Sequence, residues 1–537
     1  RAEPAVAAPM MHPPAPARHT CSAAQLVAIV ALALVLTAFL VALLPGAAYQ
    51  SSLTGTPCAG GSVPCWREHS GTGAADSLPP PPPPPPPAPA APRPLELIII
   101  SDWHTHPDYS PSVRPGYPCF CSNASLDKST TDNVPCARAQ PASSYGQVGC
   151  DSPELLTSAS LEAAAADIPQ PDLVIVLGDL VWHESTGQAS TQDIFHHVSR
   201  VIAQAFPGRP RACTVPLGNN DVYPGYHANN SNPREYTWQA AVAREHCGID
   251  GQTAAHFAQY GYYSFRMEAH PVLILVLNTN IYHPHNCPDG VASCGEDPLG
   301  QLAWMGAQMR AAEEQGLKVQ IHGHIPPALE AYSRRANWAP AYARHYWQLV
   351  ERHAAVLSGH FFGHWHSAEV RLPPISASSG AISPRSRTSP ALQILSAISP
   401  IYESHPVFYS ATFDDGGRIL PPGRFRQYAL DLSSAVGGET PRFVASARAA
   451  PAQGLSNEDY RAAIASWLAP DGGDAAFAPY WGQRKNYRPP SATRCNSTSA
   501  NFDLCLTCTG GCRVAFACLQ SHGTDSEDFA ACLAANT

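Results

Sequence analysis

Charge is scarce in this chain of 537 residues: Asp, Glu, Lys and Arg make up only 14% of it. No run of Lys or Arg appears anywhere, and a net charge of -9 has the wrong sign for gripping a phosphate backbone, so a nucleic-acid-binding role is excluded. Internal repetition is missing too, which excludes solenoids and propellers. What is plentiful is proline, with 55 residues, and cysteine, with 17. Much of the proline is local, in an unbroken run over residues 79–87, so the remainder keeps an ordinary globular composition. The length amounts to about three domains' worth of chain.

Residues 1–25 lack hydrophobic periodicity and are expected to form a disordered cytosolic tail. The uncharged run LVAIVALALVLTAFLVALL fills residues 26–44. As a helix it would rise about 28 Å, close to the hydrocarbon thickness of a bilayer. Arg18 precedes it and no charge follows until Arg67, which directs the N-terminus to the cytosol and the rest outward. The segment reads as a transmembrane signal anchor; the competing reading is a cleaved signal ending at Gly46-Ala47-Ala48. Either way the bulk of the chain is exported. All cysteines but Cys21 follow this segment, and the 16 that do are an even number, as pairing in an oxidising compartment requires. Three glycosylation acceptors, Asn123, Asn229 and Asn496, agree with that compartment. Residues 45–94 are expected to form an extended proline-rich stalk.

From residue 95 the pattern is globular. Apolar runs at 95–100, 172–179, 212–219, 271–280 and 318–324 read as buried strands. Helix-like stretches at 155–166, 193–205 and 300–315 alternate with them, which predicts a layered α/β domain over residues 95–434. Residues 435–537 differ. A helical stretch at 455–468 precedes six cysteines between Cys495 and Cys532, which predicts a small disulfide-stapled helical segment.

Chemistry-bearing residues recur at the ends of those strands. Asp102 and His104 follow LELIII; Asp179 closes DLVIVLGD; Asn219, Asn220 and Asp221 close ACTVPLGNND; His324 closes KVQIHGH; His364 and His366 follow VLSGHFFG. The carboxyl edge of an α/β sheet is where ligands bind. Carboxylates, an amide oxygen and imidazoles are the donor set of a pair of borderline divalent ions, and the imidazole share favours zinc, although manganese and iron fit the same donors. Singly each motif is weak, since a Gly-Asp or Gly-Asn pair is usually a turn; the signal is five of them in order. His322, one position off the motif, is assigned no metal, and His360 is expected to be a packed, hydrogen-bonded histidine. Trp182, Tyr223 and Tyr282 lie near the motifs in sequence and are expected to line a cleft.

The set resembles the calcineurin-like metallophosphoesterases, and more narrowly the acid sphingomyelinase and acid-sphingomyelinase-like phosphodiesterases. The narrower resemblance rests on DWHTHPDY (102–109), YGQVGCDSP (145–153), LNTNIYHPHN (277–286), GHIPP (323–327) and FFGHWHSAEV (361–370). It covers residues 95–537 and implies an α/β sandwich of mixed sheets flanked by helices. It further implies one metal on Asp102, His104 and His366, a second on Asn219, His324 and His364, and Asp179 bridging both. A hydroxide held between the metals would attack phosphorus.

For leaving-group protonation the resemblance implies His183, four residues after Asp179. A second histidine, expected after the Gly-Asn pair, is replaced here by Asn220, which cannot act as an acid. That departure is similar to the GNND of endopolyphosphatases, whose phosphoanhydride leaving groups need less protonation. The expected substrate is thus a phosphate ester or phosphoanhydride: a phospholipid, a nucleotide or polyphosphate. The expected membrane contact is through the N-terminal helix. A catalytically silent tethered binding protein and a protein Ser/Thr phosphatase are the competing readings; the intact donor set weighs against the first, and the export features against the second.

Overall fold

In the computed structural model, LELIII folds as strand β1 (Leu95–Ile100). The short β2 (Thr105–His106) follows and pairs in parallel with β3 (Ser152–Pro153). Next come helix α1 (Glu154–Asp167), β4 (Leu173–Val176), α2 (Gln188–Ala205) and β5 (Cys213–Thr214). Helices α3 (Thr237–His246) and α4 (Gly251–Tyr260) lead to β6 (Tyr263–Arg266) and β7 (Val272–Val276). Then α5 (Gln301–Gln315), β8 (Lys318–His322), α6 (Pro340–Arg352) and β9 (Leu357–Phe362) alternate. Strands β10 (Glu369–Arg371), β11 (Leu392–Ile394), β12 (Val407–Phe413), β13 (Phe425–Leu430) and β14 (Phe443–Ala447) complete the sheets. Helices α7 (Asn457–Leu468) and α8 (Gly473–Arg484), the pair β15 (Arg494–Cys495) and β16 (Thr507–Cys508), and helices α9 (Gly511–His522) and α10 (Ser526–Asn536) end the chain.

The structure describes residues 93–536, apart from 110–142, 375–386, 415–424, 433–441, 448–454, 485–493, 496–506 and several shorter breaks. The tail at 1–25, the anchor at 26–44 and all but the last two residues of the stalk lie outside the described residues, as do Asn123, Asn229 and Asn496. Among the described residues no helix is long and apolar enough to cross a membrane. Arg93, assigned to the stalk, is already part of the fold: its guanidinium donates to Asp172.

Two six-stranded mixed sheets form the framework, ordered β14-β13-β12-β1-β4-β5 and β10-β11-β9-β8-β7-β6. In the first, β1, β4 and β5 run parallel; in the second, β7, β8 and β9 do. The period-2 alternation of side chains sorts the second sheet between two cores. Val272, Ile274 and Val276 join the residues of the first sheet, whereas Leu273 and Leu275 pack with Met305 and Met309 of α5 and Trp347 of α6. The inner faces meet where the Phe361 ring lies edge-on to Phe413, 6.4 Å between centroids, and where His322 Nδ1 lies 3.3 Å from Thr214 Oγ1. The parallel strands of both sheets thus end at one shared seam.

Strand β5 is shorter than the run at 212–219 suggests. Pro216 lacks the N–H that the ladder would need, so pairing stops at Thr214. The first sheet also extends past residue 434, because β14 pairs antiparallel with β13. The helix expected at 455–468 starts after Ser456, whose hydroxyl and Asp459 form a reciprocal capping box.

The C-terminal helices share the core of the first sheet through Tyr460, Trp467, Phe477 and Phe516. They are also tied to β10 by a buried charged knot. Glu369 accepts from Arg371 Nη1 at 3.0 Å, Arg484 Nη2 at 2.6 Å and Gln520 Nε2 at 3.3 Å. Disulfides Cys508–Cys512 and Cys518–Cys532 staple this segment, and Cys213–Cys247 joins β5 to the end of α3. Cys150 and Cys287 are disulfide-bonded as well.

Candidate metal centre

Each candidate donor sits a few residues past a parallel strand. Asp102 and His104 follow β1, Asp179 follows β4, Asn219 follows β5, His324 follows β8, and His364 and His366 follow β9. The turns that aim them are strained. Asp102, His104, Asp179, His364 and His366 all have positive φ, between 46° and 73°, a region that side chains other than glycine rarely adopt. Glycines permit the close approach. A Cβ on Gly363 would come within 2.6 Å of Asp102 Oδ2, and one on Gly218 within 2.7 Å of Asp179 Cγ.

The structure brings all seven predicted donors together in two overlapping groups. His104 Nε2 lies 3.1 Å from His366 Nε2, and His366 Nε2 lies 3.4 Å from Asp102 Oδ1. Opposite, His324 Nε2 lies 3.0 Å from Asn219 Oδ1, with His364 beside it at 5.1 Å between ring centroids. Asp179 joins the groups, its Oδ2 lying 3.4 Å from His104 Nε2 and 3.2 Å from His324 Nε2. Asp102, His104 and Asp179 form one convergent set of ligand atoms; Asp179, His324 and His364 form another.

The donor set fits divalent cations. His104 Nδ1 lies 3.0 Å from the Val181 carbonyl and His324 Nδ1 2.7 Å from that of Leu177. A carbonyl only accepts, so each Nδ1 carries a proton, and it is Nε2 that faces the other donors and offers its lone pair once its own proton has left. Burial weighs against charge on His104 and His324, yet Asp179 and Asp102 outweigh it and raise both to about 9. Burial likewise penalises the Asp102 and Asp179 carboxylates, but the surrounding imidazoles hold both below the usual carboxylate range. Burial pushes His366 down to about 4, with His104 and His183 adding repulsion. The pocket therefore concentrates negative charge that cations would satisfy in place of protons.

Around this set lie Asp221, Asp151 and Tyr402, to which the sequence reading gave no role. Asp221 accepts from the backbone N–H of Asp179, Leu180 and Gly218 at 2.8–2.9 Å, and so pins the loop bearing Asp179. Burial and the Asp179 charge push its carboxyl up to about 6. Asp151 accepts from His183 Nδ1 at 2.9 Å and from the His183 backbone at 3.0 Å. Burial of Asp151 opposes its charge, but the neighbouring His183 lowers its pKa. The His183 ring stacks on His104, 3.8 Å between centroids, and its Nε2 lies 3.3 Å from Tyr402 Oη. Asp151 lies inside YGQVGCDSP and Asp221 inside GNND, so both were within quoted motifs; nothing in the sequence marked Tyr402.

Asn220 does not stand ready as a proton donor. Its Nδ2 donates to Asp179 Oδ2 and its backbone N to Asp179 Oδ1, both at 2.8 Å. His322 sits between the sheets, and burial drops it to about 3. His360 is buried between Tyr346 Oη at 3.0 Å and the Pro390 carbonyl at 3.1 Å, a packed histidine as expected. The aromatic expectation needs correction. Tyr282 is fully buried against Trp338, 4.3 Å between centroids, so it lines no open cleft. Tyr223 is exposed, and Trp182 is buried beside His106. Tyrosine rings do lie against the donors: Tyr402, 4.7 Å from His366, and Tyr226, 6.0 Å from His364.

Two mixed sheets with a histidine- and carboxylate-rich seam are the architecture of dinuclear phosphoesterases. Residues 95–368, 274 of 537, match the family of calcineurin-like phosphoesterases, and the chain belongs to that family. It is 29% identical over 283 residues to an acid sphingomyelinase-like phosphodiesterase 3b of Mus musculus, covering 51% of this chain and 57% of that one. A sphingomyelinase phosphodiesterase D of Dictyostelium discoideum is 28% identical over 280 residues, covering 51% and 60%. A cyclic GMP-AMP phosphodiesterase of Bos taurus is 25% identical over 237 residues, covering 43% and 51%. The matched segments thus span between 51% and 60% of these relatives.

Proposed function

We propose that this chain is an exported two-cation phosphodiesterase. Asp102, His104 and His366 would hold one divalent ion and Asn219, His324 and His364 the other, with Asp179 available to either; zinc would suit the five-to-two excess of neutral donors over carboxylates. The observation carrying this reading is the single Asp179 Oδ2 between His104 Nε2 and His324 Nε2, at 3.4 and 3.2 Å. Two such ions, when bound, activate water near neutral pH and neutralise charge on the phosphoryl oxygens. Export is supported by the disulfides among the described residues, which persist in an oxidising compartment. The candidate export segment, 26–44, lies outside them.

The protein's own part is proton delivery. With Nδ1–H held by Asp151, His183 can carry a second proton on Nε2 and pass it to the leaving oxygen. Asp151 fixes the orientation of the ring. The name of the first relative reported, a sphingomyelinase-like phosphodiesterase, favours a phosphodiester substrate. Asn220, occupied with Asp179, adds no second acid, so leaving groups that need little protonation are favoured, including the phosphates of nucleotides and polyphosphate.

Zinc-loaded His183→Asn tests this on sphingomyelin, a cyclic dinucleotide and bis-p-nitrophenyl phosphate. Loss of the acid should slow the alkyl and nucleoside esters by on the order of 10²–10⁴. It should slow the nitrophenyl ester, whose leaving group needs no proton, far less. Equal losses would reject the acid role. A wild-type protein holding two zinc ions yet turning over none of these esters, ATP or polyphosphate would favour the silent binding protein.

A further inference from the structure

Away from the seam, α2 and α3 bring another set of donors together. His196, midway along α2, and His246, the last residue of α3, face each other with 3.3 Å between their Nε2 atoms. Their rings are edge-to-face, 77° between planes. Glu245 completes the group, its Oε2 lying 3.6 Å from His196 Nε2 and its Oε1 3.8 Å from His246 Nε2. We propose that His196, Glu245 and His246 form a third divalent-cation site, of the zinc class, that clamps α2 to α3.

The spacing is that of ligands around one ion. Tetrahedral zinc with bonds of about 2.0–2.1 Å sets its donor atoms about 3.3 Å apart. Two imidazoles and a carboxylate are a zinc donor set, and a fourth position stays open to water, since the Glu245 and His196 side chains are 63% and 45% exposed. The position also favours a cation. The carboxyl end of α3 carries the negative end of the helix dipole, and Glu245 adds a full charge there. Arg200 opposes this through its repulsion of His246, a smaller influence there than the attraction of Glu245; its guanidinium donates to His197 Nδ1 at 3.0 Å and Gln204 Oε1 at 3.2 Å. His246 is held in place from the next residue, because Cys247 is bonded to Cys213 of β5. A bound ion would thereby brace α2, the helix that follows the loop bearing His183.

Equilibrium dialysis of the untagged full chain against excess zinc, with metal counted by mass spectrometry, tests the site. His196→Ala/His246→Ala should bind one zinc fewer per chain than wild type. Its circular dichroism and its turnover of bis-p-nitrophenyl phosphate with saturating zinc should be unchanged. Glu245→Gln, which removes only the charge of an exposed side chain, should weaken the same equivalent by on the order of tenfold. Equal zinc counts in wild type and double variant would overturn the proposal; the two imidazoles would then be a hydrogen-bonded pair. An unchanged third affinity in Glu245→Gln would overturn the carboxylate's part. Because the readout is a difference of one ion, it stands whether or not the seam holds two.

Discussion

The charged knot at Glu369 makes a demanding stability prediction. Glu369 and Arg371 are fully buried, and Arg484 is 3% exposed, so water cannot compensate either guanidinium. Glu369 Oε1 receives Arg484 Nη2 at 2.6 Å, Arg484 Nε at 3.1 Å and Ser367 Oγ at 3.0 Å; Oε2 receives Arg371 Nη1 at 3.0 Å and Gln520 Nε2 at 3.3 Å. In Glu369→Gln the amide must turn its NH₂ towards donors in either orientation. Two guanidiniums then lose their counter-charge together. Breaking a buried ion pair costs about 3–5 kcal/mol, a large share of the roughly 5–15 kcal/mol of a typical domain. Urea unfolding with disulfides intact should show that loss in the transition of the C-terminal helices, α8 and α9 being the elements tied here. Replacing all three charges, in Glu369→Met/Arg371→Met/Arg484→Met, should recover much of it, because no unpaired charge remains. A Glu369→Gln protein within about 1 kcal/mol of wild type would refute the reasoning, since it would mean that water or another anion reaches the knot.

Gly363→Ala should weaken metal retention at the seam by forcing Asp102 out of place, while leaving the far-ultraviolet spectrum near wild type; the wild-type number of zinc ions per chain would contradict the close approach at Asp102 Oδ2. Metal uptake should release protons. His104 and His324 have pKa values raised to about 9 in the metal-free protein, so both are protonated at pH 7 and each must lose its proton to a cation. Calorimetry in buffers of different ionisation enthalpy should count about two protons per two ions at pH 7 and fewer above pH 9. By the same linkage, the stability these raised groups lend the metal-free protein is complete below about 6.5 and is lost as pH rises through about 9. Asn220→His should raise turnover of poor-leaving-group esters more than of anhydrides; equal gains would remove the leaving-group argument.

The sequence was most legible where one strand end carried its own donors. Asp102, Asp179, Asn219, His324 and His364 each follow an apolar run, and continuous hydrophobicity located those runs. Less visible were the strands with no donor at their end. The apolar run of β12 is broken by Ser410 and Thr412, and β10 and β11 have three residues each, so no continuous apolar run betrayed them. Long-range partners were invisible for a different reason. Asp151 meets His183 across 32 positions and Tyr402 meets it across 219, separations that only the folded sheets resolve. Tyr282 misled because nearness in sequence to the motifs was taken for a place in the cleft; a 3-10 turn instead drops its ring into the core beside Trp338 and Tyr342.

The seam between the sheets orders events in time. Asp102, His104, Asp179 and Asn219 come from one layer; His324, His364 and His366 come from the other. On the proposed ligand assignment neither layer alone supplies donors enough for both ions, so tight capture would wait until the two halves have docked. An inhibitor that pried the layers apart would discharge the ions without ever touching them, and ion loss would be the earliest sign that the sandwich had begun to open.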